Sequence, residues 1–118
     1  MEIQQFAEKF RGKVEAGDLE AIVQDYFSPE FESIEPAFTP YPHTKGLDQL
    51  QEKWTVFRGN IKEMHSREVS KEILVQGNLM VIGMSIDFTN ANDERIQQHE
   101  LVLYKVKDEK IISEQFFY

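Results

Sequence analysis

The chain contains no cysteine among its 118 residues. Disulfide bonds, thiolate metal sites and cysteine nucleophiles are therefore excluded. The amino terminus also lacks a cationic stretch followed by an apolar one, so we expect no signal peptide. A chain without cysteine suits a reducing compartment, and we expect a cytoplasmic protein.

Long apolar runs and positive charge are also scarce. No apolar segment is long enough to span a bilayer. The chain has 13 lysines and arginines against 21 acidic residues, which gives a net charge of -8. Because nucleic acids and anionic membranes bind cationic surfaces, we expect neither as a partner. Hydrophobic residues make up 41% of the sequence, which is enough for one folded domain over residues 1–118.

Apolar residues at helical spacing predict three helices in the first half of the chain. The first covers about residues 2–16, the second follows from Leu19 to about Phe27, and the third runs from Leu47 to about Phe57. Gly17 can close the first helix in a left-handed cap, and Asp18 can cap the start of the second. These apolar stripes predict core packing.

Alternating residues predict strands in the rest of the chain. We expect a short strand over residues 31–35, an irregular segment over 38–44, and longer strands over 62–76, 79–89, 95–106 and 110–118. Helices followed by consecutive antiparallel strands favour an α+β fold. A strongly curved sheet wrapped around the helices would leave a cone-shaped cavity.

The last quarter of the chain reads as a hairpin with two different faces. One face carries Gln98, Glu100, Val102, Tyr104 and Val106. Such a mixture of apolar side chains with a carboxylate and an amide is typical of a ligand pocket. The opposite face carries Leu101 and Leu103 and needs cover, so we expect a homodimer through the convex side of the sheet.

Four short motifs carry a resemblance to a known family. They are Ala16-Gly17-Asp18-Leu19, Ser33-Ile34-Glu35-Pro36, Lys45-Gly46-Leu47 and Lys110-Ile111-Ile112-Ser113. In this order and spacing, the chain resembles the nuclear-transport-factor-2-like superfamily, in the branch of ketosteroid isomerases and SnoaL-like polyketide cyclases. The resemblance covers essentially the whole chain. It implies a cone-shaped fold with three helices packed in a curved, mostly antiparallel sheet, which hosts many functions.

The resemblance implies only part of the isomerase machinery. Glu35, directly before Pro36, stands where the isomerases have their general base. The two isomerase hydrogen-bond donors fall on Phe10 and on or beside Val102, and neither side chain can donate. Each lost donor costs a few kcal/mol of enolate stabilisation, so we do not expect steroid isomerisation.

The same comparison places nine side chains on the pocket face: Ile82, Met84, Ile86, Phe88, Gln98, Glu100, Glu114, Phe116 and Tyr118. The predicted ligand is a small apolar molecule inside the cone. The predicted ligand-binding residues are Tyr26, Trp54, Met84, Phe88, Gln98, Val102, Phe116 and Tyr118. For the aromatic residues among them, core packing is the more common role.

Glu35, Glu100 and Glu114 are the candidate catalytic residues. A carboxylate in an apolar cone should have a raised pKa, which suits a general acid or base. Glu100 and Glu114 lie on neighbouring strands and could share a proton. The alternative for all three is a solvated side chain or an ordinary ion pair. Three acids could also hold a divalent ion, but no spacing is diagnostic, so we expect neither a metal nor a cofactor.

Strand alternation predicts that His65 and His99 point outward, while His43 lies in a loop over the expected mouth. Residues 64–68 show no clean alternation, so it stays open which of Ser66, Arg67 and Glu68 reaches the pocket. A β-bulge would explain the lost period.

The sequence therefore predicts a SnoaL-like small-molecule-binding protein. It could be an isomerase, cyclase or lyase acting on an apolar ring or polyketide-like ligand. The alternatives are a protein that binds a ligand without chemistry and a non-catalytic, dimeric association module.

Overall fold

The computed structural model describes residues 2–118. The helices are α1 (Ile3–Ala16), α2 (Leu19–Tyr26) and α3 (Leu47–Gly59). The strands are β1 (Phe27–Ile34), β2 (His43–Lys45), β3 (Ile61–Val69), β4 (Leu74–Gln76), β5 (Leu79–Asn90), β6 (Arg95–Lys107) and β7 (Lys110–Phe117).

One curved sheet contains every strand. Its order is β2-β1-β7-β6-β5-β3, and β4 pairs with β5 beside this path. Only β1 and β7 run parallel among the described strand pairs, and the others are antiparallel. Within residues 2–118, the edge strands β2 and β3 do not pair with each other, so the sheet is not closed. The α+β class and the mostly antiparallel, cone-shaped architecture are confirmed.

The predicted boundary between the first two helices is confirmed. Gly17 has a φ of 72°, and its N–H donates to the carbonyl oxygens of Lys13 and Val14. The Asp18 side chain then accepts a hydrogen bond from the N–H of Ala21 at 3.1 Å. These caps satisfy backbone groups that a helix end leaves unpaired.

The first strand is longer than expected. β1 begins at Phe27 rather than Phe31, and it includes Pro29. Its pairing with β7 is irregular between Phe27 and Glu32, because proline cannot donate a ladder hydrogen bond. Stacking of the Phe27 and Phe31 rings at 4.1 Å holds the early part of the strand against the core.

The segments around this strand and around the third helix also differ from expectation. His43 and Thr44, expected to be irregular, form β2 together with Lys45 and pair with β1. The long strand expected over 62–76 is instead two strands, β3 and β4, because the extended pairing stops at Ser70. The Ser70 hydroxyl accepts the N–H of Gly83 at 3.0 Å in place of a ladder partner.

A β-bulge lies in β3, as the lost alternation suggested. The register of β3 against β5 shifts between Met64 and Ser66. After the shift, Arg67 pairs with Ile86 and therefore shares its inner face. The bulge therefore places Arg67, rather than Ser66 or Glu68, on the inner face of the sheet.

The core lies between the helices and the inner face of the sheet. Its fully buried large side chains include Phe10, Phe31, Leu50, Met80, Ile82 and Ile111. Each contributes about 1.5–3 kcal/mol through removal from water. No helix within residues 2–118 is long and apolar enough to cross a membrane.

Candidate functional site

Lys53 is the centre of a buried polar cluster. It projects from α3, and its Nζ donates to the Ser33 hydroxyl at 2.7 Å. The same nitrogen lies 3.8 Å from Glu35 Oε1 and 4.0 Å from Glu114 Oε1. It also lies 4.7 Å from the centre of the Phe116 ring. Because the Lys53 side chain is only 12% exposed, its charge needs these partners.

Glu114 is the most deeply buried carboxylate of this cluster. It lies in β7 with its side chain 6% exposed, and Oε1 accepts the Ser33 hydroxyl at 2.9 Å. Burial raises the pKa of Glu114 to about 7, although Lys53 and Ser33 favour its charged form. This carboxyl group is therefore partly protonated near neutral pH.

Glu35 follows β1, and its N–H donates to the Pro42 carbonyl oxygen at 2.9 Å. Its Oε2 accepts a hydrogen bond from the Tyr118 hydroxyl at 3.2 Å. Burial raises the pKa of Glu35, and the nearby Lys53 charge partly opposes this increase. The side chain is 10% exposed.

Glu100, which lies in β6, is the third carboxylate near Lys53. The Gln98 side-chain amide donates to its Oε2 at 2.8 Å. Burial raises the pKa of Glu100, and the charge of Glu35 raises it further. The charges of Glu35 and Glu100 likewise raise the pKa of Glu114. Because like charges repel, ionisation of one of these carboxylates disfavours ionisation of the others, which couples the three groups.

A cavity of about 270 Å³ opens beside this cluster. Its lining is mostly apolar: Phe10, Val14, Leu19, Ile22, Phe27, Trp54, Phe57, Ile61, Met64, Met84, Ile86 and Phe116, with Arg58, Arg67, Glu100, Tyr104 and Glu114 as polar members. Phe57, Arg58, Met64 and Arg67 are exposed lining residues, so they mark the mouth. The two glutamates lie among buried and half-buried lining residues.

Several of the predicted site residues meet at this cavity. Trp54, Met84, Glu100, Glu114 and Phe116 line it. Three other predicted residues are outside the lining: Gln98, Tyr118 and Glu35. Hydrogen bonds join Tyr118 to Glu35 and to Gln98, and Gln98 to Glu100. Glu35 reaches the lining residue Glu114 through Lys53.

The other predicted ligand-binding residues lie in packing contacts. Tyr26 packs against Phe6 and Phe10, with ring centres 5.4 and 5.5 Å apart. Phe88 contacts Phe57 at 5.9 Å, and Val102 is fully buried.

The three histidines lie away from the cluster. His99 contacts Ser85 on the outer face, with Nδ1 2.8 Å from the hydroxyl oxygen. His65 lies 2.7 Å from the Thr89 hydroxyl, and His43 is exposed beside Glu32. Among the described residues, no group of three or more histidine, aspartate or glutamate side chains forms a candidate metal site.

The sequence analysis missed Lys53, Ser33 and the role of Arg67. Two signals could have found the first two residues. Lys53 lies three residues after Leu50 and four before Phe57, inside the apolar stripe of α3. Ser33 has the same strand parity as Glu35. Arg67 could not be placed, because the bulge interrupts the alternation around it.

A family model described as the SnoaL-like domain matches residues 1–118. The chain belongs to the SnoaL-like family. No curated protein matches it. A SnoaL-like relative from Mesorhizobium loti, provisionally described as a polyketide cyclase, is 28% identical with a TM-score of 0.91, and the match covers 100% of both chains.

Two further solved structures share the SnoaL-like fold at low identity. An NTF2-like protein of unknown function from Burkholderia pseudomallei is 12% identical, with a TM-score of 0.74 over 98% of this chain and 88% of the other. TerC, co-crystallised with polyporic acid, is 13% identical, with a TM-score of 0.71 over 92% and 85% of the two chains.

Proposed function

We propose that this SnoaL-like protein binds a small, largely apolar molecule in its cavity and catalyses a proton transfer on it. The reaction class is an isomerisation, cyclisation or lyase step on an apolar ring or polyketide-like compound. The observation that carries the proposal is the coupled carboxylate cluster, two members of which line an apolar cavity.

The proposed chemistry needs one carboxylate and one carboxylic acid. The carboxylate takes a proton from the carbon beside a ligand carbonyl, and the acid gives a proton to the carbonyl oxygen, which yields an enol. Glu114 is the proposed acid, since burial raises its pKa to about 7. A coupled cluster favours this arrangement, because one member can hold a proton while a neighbour stays ionised.

Two residues compete for the role of base. The cavity lining favours Glu100, whose carboxylate is held by Gln98. The family resemblance favours Glu35, which is ion-paired with Lys53 behind the lining. In the second case, the ligand would have to displace Tyr118 from Glu35 or approach from the Tyr118 side.

A proton-exchange experiment tests the catalytic proposal without knowledge of the natural substrate. Apolar cyclic ketones such as 2-tetralone are incubated with the protein in D₂O, and NMR follows the loss of the protons beside the carbonyl. We expect the wild type to accelerate exchange. We expect Glu100→Gln or Glu35→Gln to slow it about 100-fold, since a positioned base contributes at least that factor.

Glu52→Gln is the matched control, because Glu52 is exposed on the same helix as Lys53. It should exchange at the wild-type rate. If the wild type binds ketones without accelerating exchange, the protein binds ligands without this chemistry. If both base variants retain full exchange, the assigned base is wrong.

Polyporic acid is a direct first probe of ligand binding. TerC, which shares the fold, was co-crystallised with this compound. Binding to the wild type that is lost after Met84→Trp, which places bulk at the cavity wall, would support the cavity as the ligand site. Equal binding by both proteins would place the compound elsewhere.

The outer face of the sheet favours a second candidate function, that of a dimeric association module. Leu101 and Phe117 are neighbours across β6 and β7, with exposed fractions of 54% and 50%. They line an outer groove together with Ser70, Gly83, Ser85 and His99. We propose that a second copy of the chain covers this outer groove.

We also propose a cytoplasmic location, which the absence of cysteine favours. Fractionation of cells of the source organism would check it, and recovery outside the cytoplasm would contradict it.

A further inference from the structure

The four arginines of the chain divide into two groups. Arg11 pairs with Glu15 at 2.8 Å, and Arg95 pairs with Asp87 at 2.7 Å. Arg58 and Arg67 form no ion pair with any carboxylate within residues 2–118, and these two arginines line the cavity. The charge of Arg67 acts on Glu100, but from beyond ion-pair distance. In a chain with 21 acidic residues, two cavity-lining cations without a carboxylate at ion-pair distance require an explanation.

Structural roles account for only part of this arrangement. Arg67 donates to the carbonyl oxygens of Val14 at 2.5 Å and Glu15 at 3.3 Å, at the end of α1. A guanidinium has five N–H groups, so donors remain for a ligand. Arg58 lies in the last turn of α3 and makes no hydrogen bond through its side chain to the described part of the chain.

The contacts of Arg67 also orient it. Two helix carbonyls hold its guanidinium beside the mouth, while the bulge in β3 directs the side chain inward. A guanidinium that is already fixed in position loses less conformational entropy on binding an anion than a freely moving one does. Its planar geometry also matches that of a carboxylate.

The charges inside the cavity differ from one part to another. Arg58 and Arg67 are exposed at the mouth, and Glu100 and Glu114 lie among its less exposed lining residues. Arginine side chains keep their charge in proteins, whereas buried carboxylates can take up protons and become neutral. The cavity can therefore become net positive, which favours an anion at the mouth.

We propose that Arg58 and Arg67 bind a carboxylate of the ligand, so that the substrate class is an apolar carboxylic acid. The acid group stays at the mouth, and the apolar body reaches towards the two glutamates. This inference rests on the proposed ligand cavity and adds the polar group that orients the ligand within it.

Matched ligand pairs test the inference. The probes are 2-naphthoate and 4-biphenylcarboxylate, each compared with its methyl ketone, which keeps the ring system and lacks the charge. Calorimetry measures the dissociation constants for the wild type, Arg58→Gln and Lys9→Gln. Lys9 is exposed on α1 and does not line the cavity, so its substitution makes the same change in net charge outside the proposed site.

We expect Arg58→Gln to weaken binding of the acids about tenfold and leave the ketones unchanged, with Lys9→Gln like the wild type. Arg58→Lys should recover part of the lost affinity. Equal weakening by Arg58→Gln and Lys9→Gln would overturn the inference, because it would indicate a general charge effect. Tight binding of the ketones with no preference for the acids would also overturn it and leave the ligand cavity intact. Failure of every acid and ketone to bind would overturn the proposed function and this inference together.

Discussion

The charge of the site depends on Lys53. It contacts Ser33, Glu35 and Glu114 at once, and it lowers the pKa values of both glutamates against the effect of burial. A buried cation among three acids favours their ionised forms, which is the state that a general base requires.

Glu114 should make the stability of the protein depend on pH. Its folded pKa, about 7, lies above the ordinary value of 4.5, so the unfolded chain releases this proton first as the pH rises. The resulting stabilisation is complete below pH 4.5 and is lost as the pH rises through 7. We expect Glu114→Gln to reduce this loss, which amounts to roughly 3 kcal/mol.

Urea unfolding of the wild type and Glu114→Gln at several values between pH 4.5 and 8 would measure the difference. The exposed Glu52→Gln serves as the control and should follow the wild type. Parallel stability curves for Glu114→Gln and the wild type would show that Glu114 does not titrate as proposed.

The first helix shows how local sequence signals set the boundaries of an element. Gly17 closes α1 in a left-handed conformation, and Asp18 starts α2 one residue later. The end of α1 lies against Arg67 of β3, which donates to two of its carbonyl oxygens. The helix boundary thus contributes to the shape of the cavity mouth.

Two glycine substitutions in this region should have opposite effects. Gly17 has a φ of 72°, so Gly17→Ala should lower the free energy of unfolding by about 1 kcal/mol. Gly12 lies within α1, and a Cβ there would meet no atom within 4 Å. Gly12→Ala should therefore raise the free energy of unfolding by about 0.5–1 kcal/mol. Thermal and urea unfolding check both, and a stabilised Gly17→Ala would contradict the role of the cap.

The complete molecule presents two different surfaces on one sheet. The inner face is covered by helices and encloses the cavity, while the outer face leaves Leu101 and Phe117 exposed. Because side chains alternate along a strand, Leu101 and Phe117 point away from the inner face that carries Val102 and Phe116. Ligand binding and self-association can therefore be tested separately.

Leu101→Glu should disrupt the proposed dimer, since it places a charge in the outer groove of both copies. Light scattering coupled to size-exclusion chromatography would show a dimer for the wild type and a monomer for the variant. Leu74→Glu is the control, because Leu74 is exposed on β4 and is not part of the outer groove. A monomeric wild type at high concentration would refute the dimer.

Local patterns in the sequence were sufficient for much of the fold. The three helices, the caps at Gly17 and Asp18, and the inner-face parity of β5 and β6 follow from interactions within a few residues or across one strand pair. The same parity placed Glu100 and Gln98 together. The early start of β1, the break at Ser70 and the formation of β2 depend on partners far along the chain, so local patterns did not predict them.

The composition of the site depends on packing between distant elements. Lys53 meets Ser33 and Glu114 only because α3 crosses the sheet where β1 and β7 lie side by side. Arg67 turns inward because one bulge shifts the register. Residue types and their spacing specify local backbone geometry, whereas the contacts of long side chains and the pKa values of buried groups depend on how the layers pack.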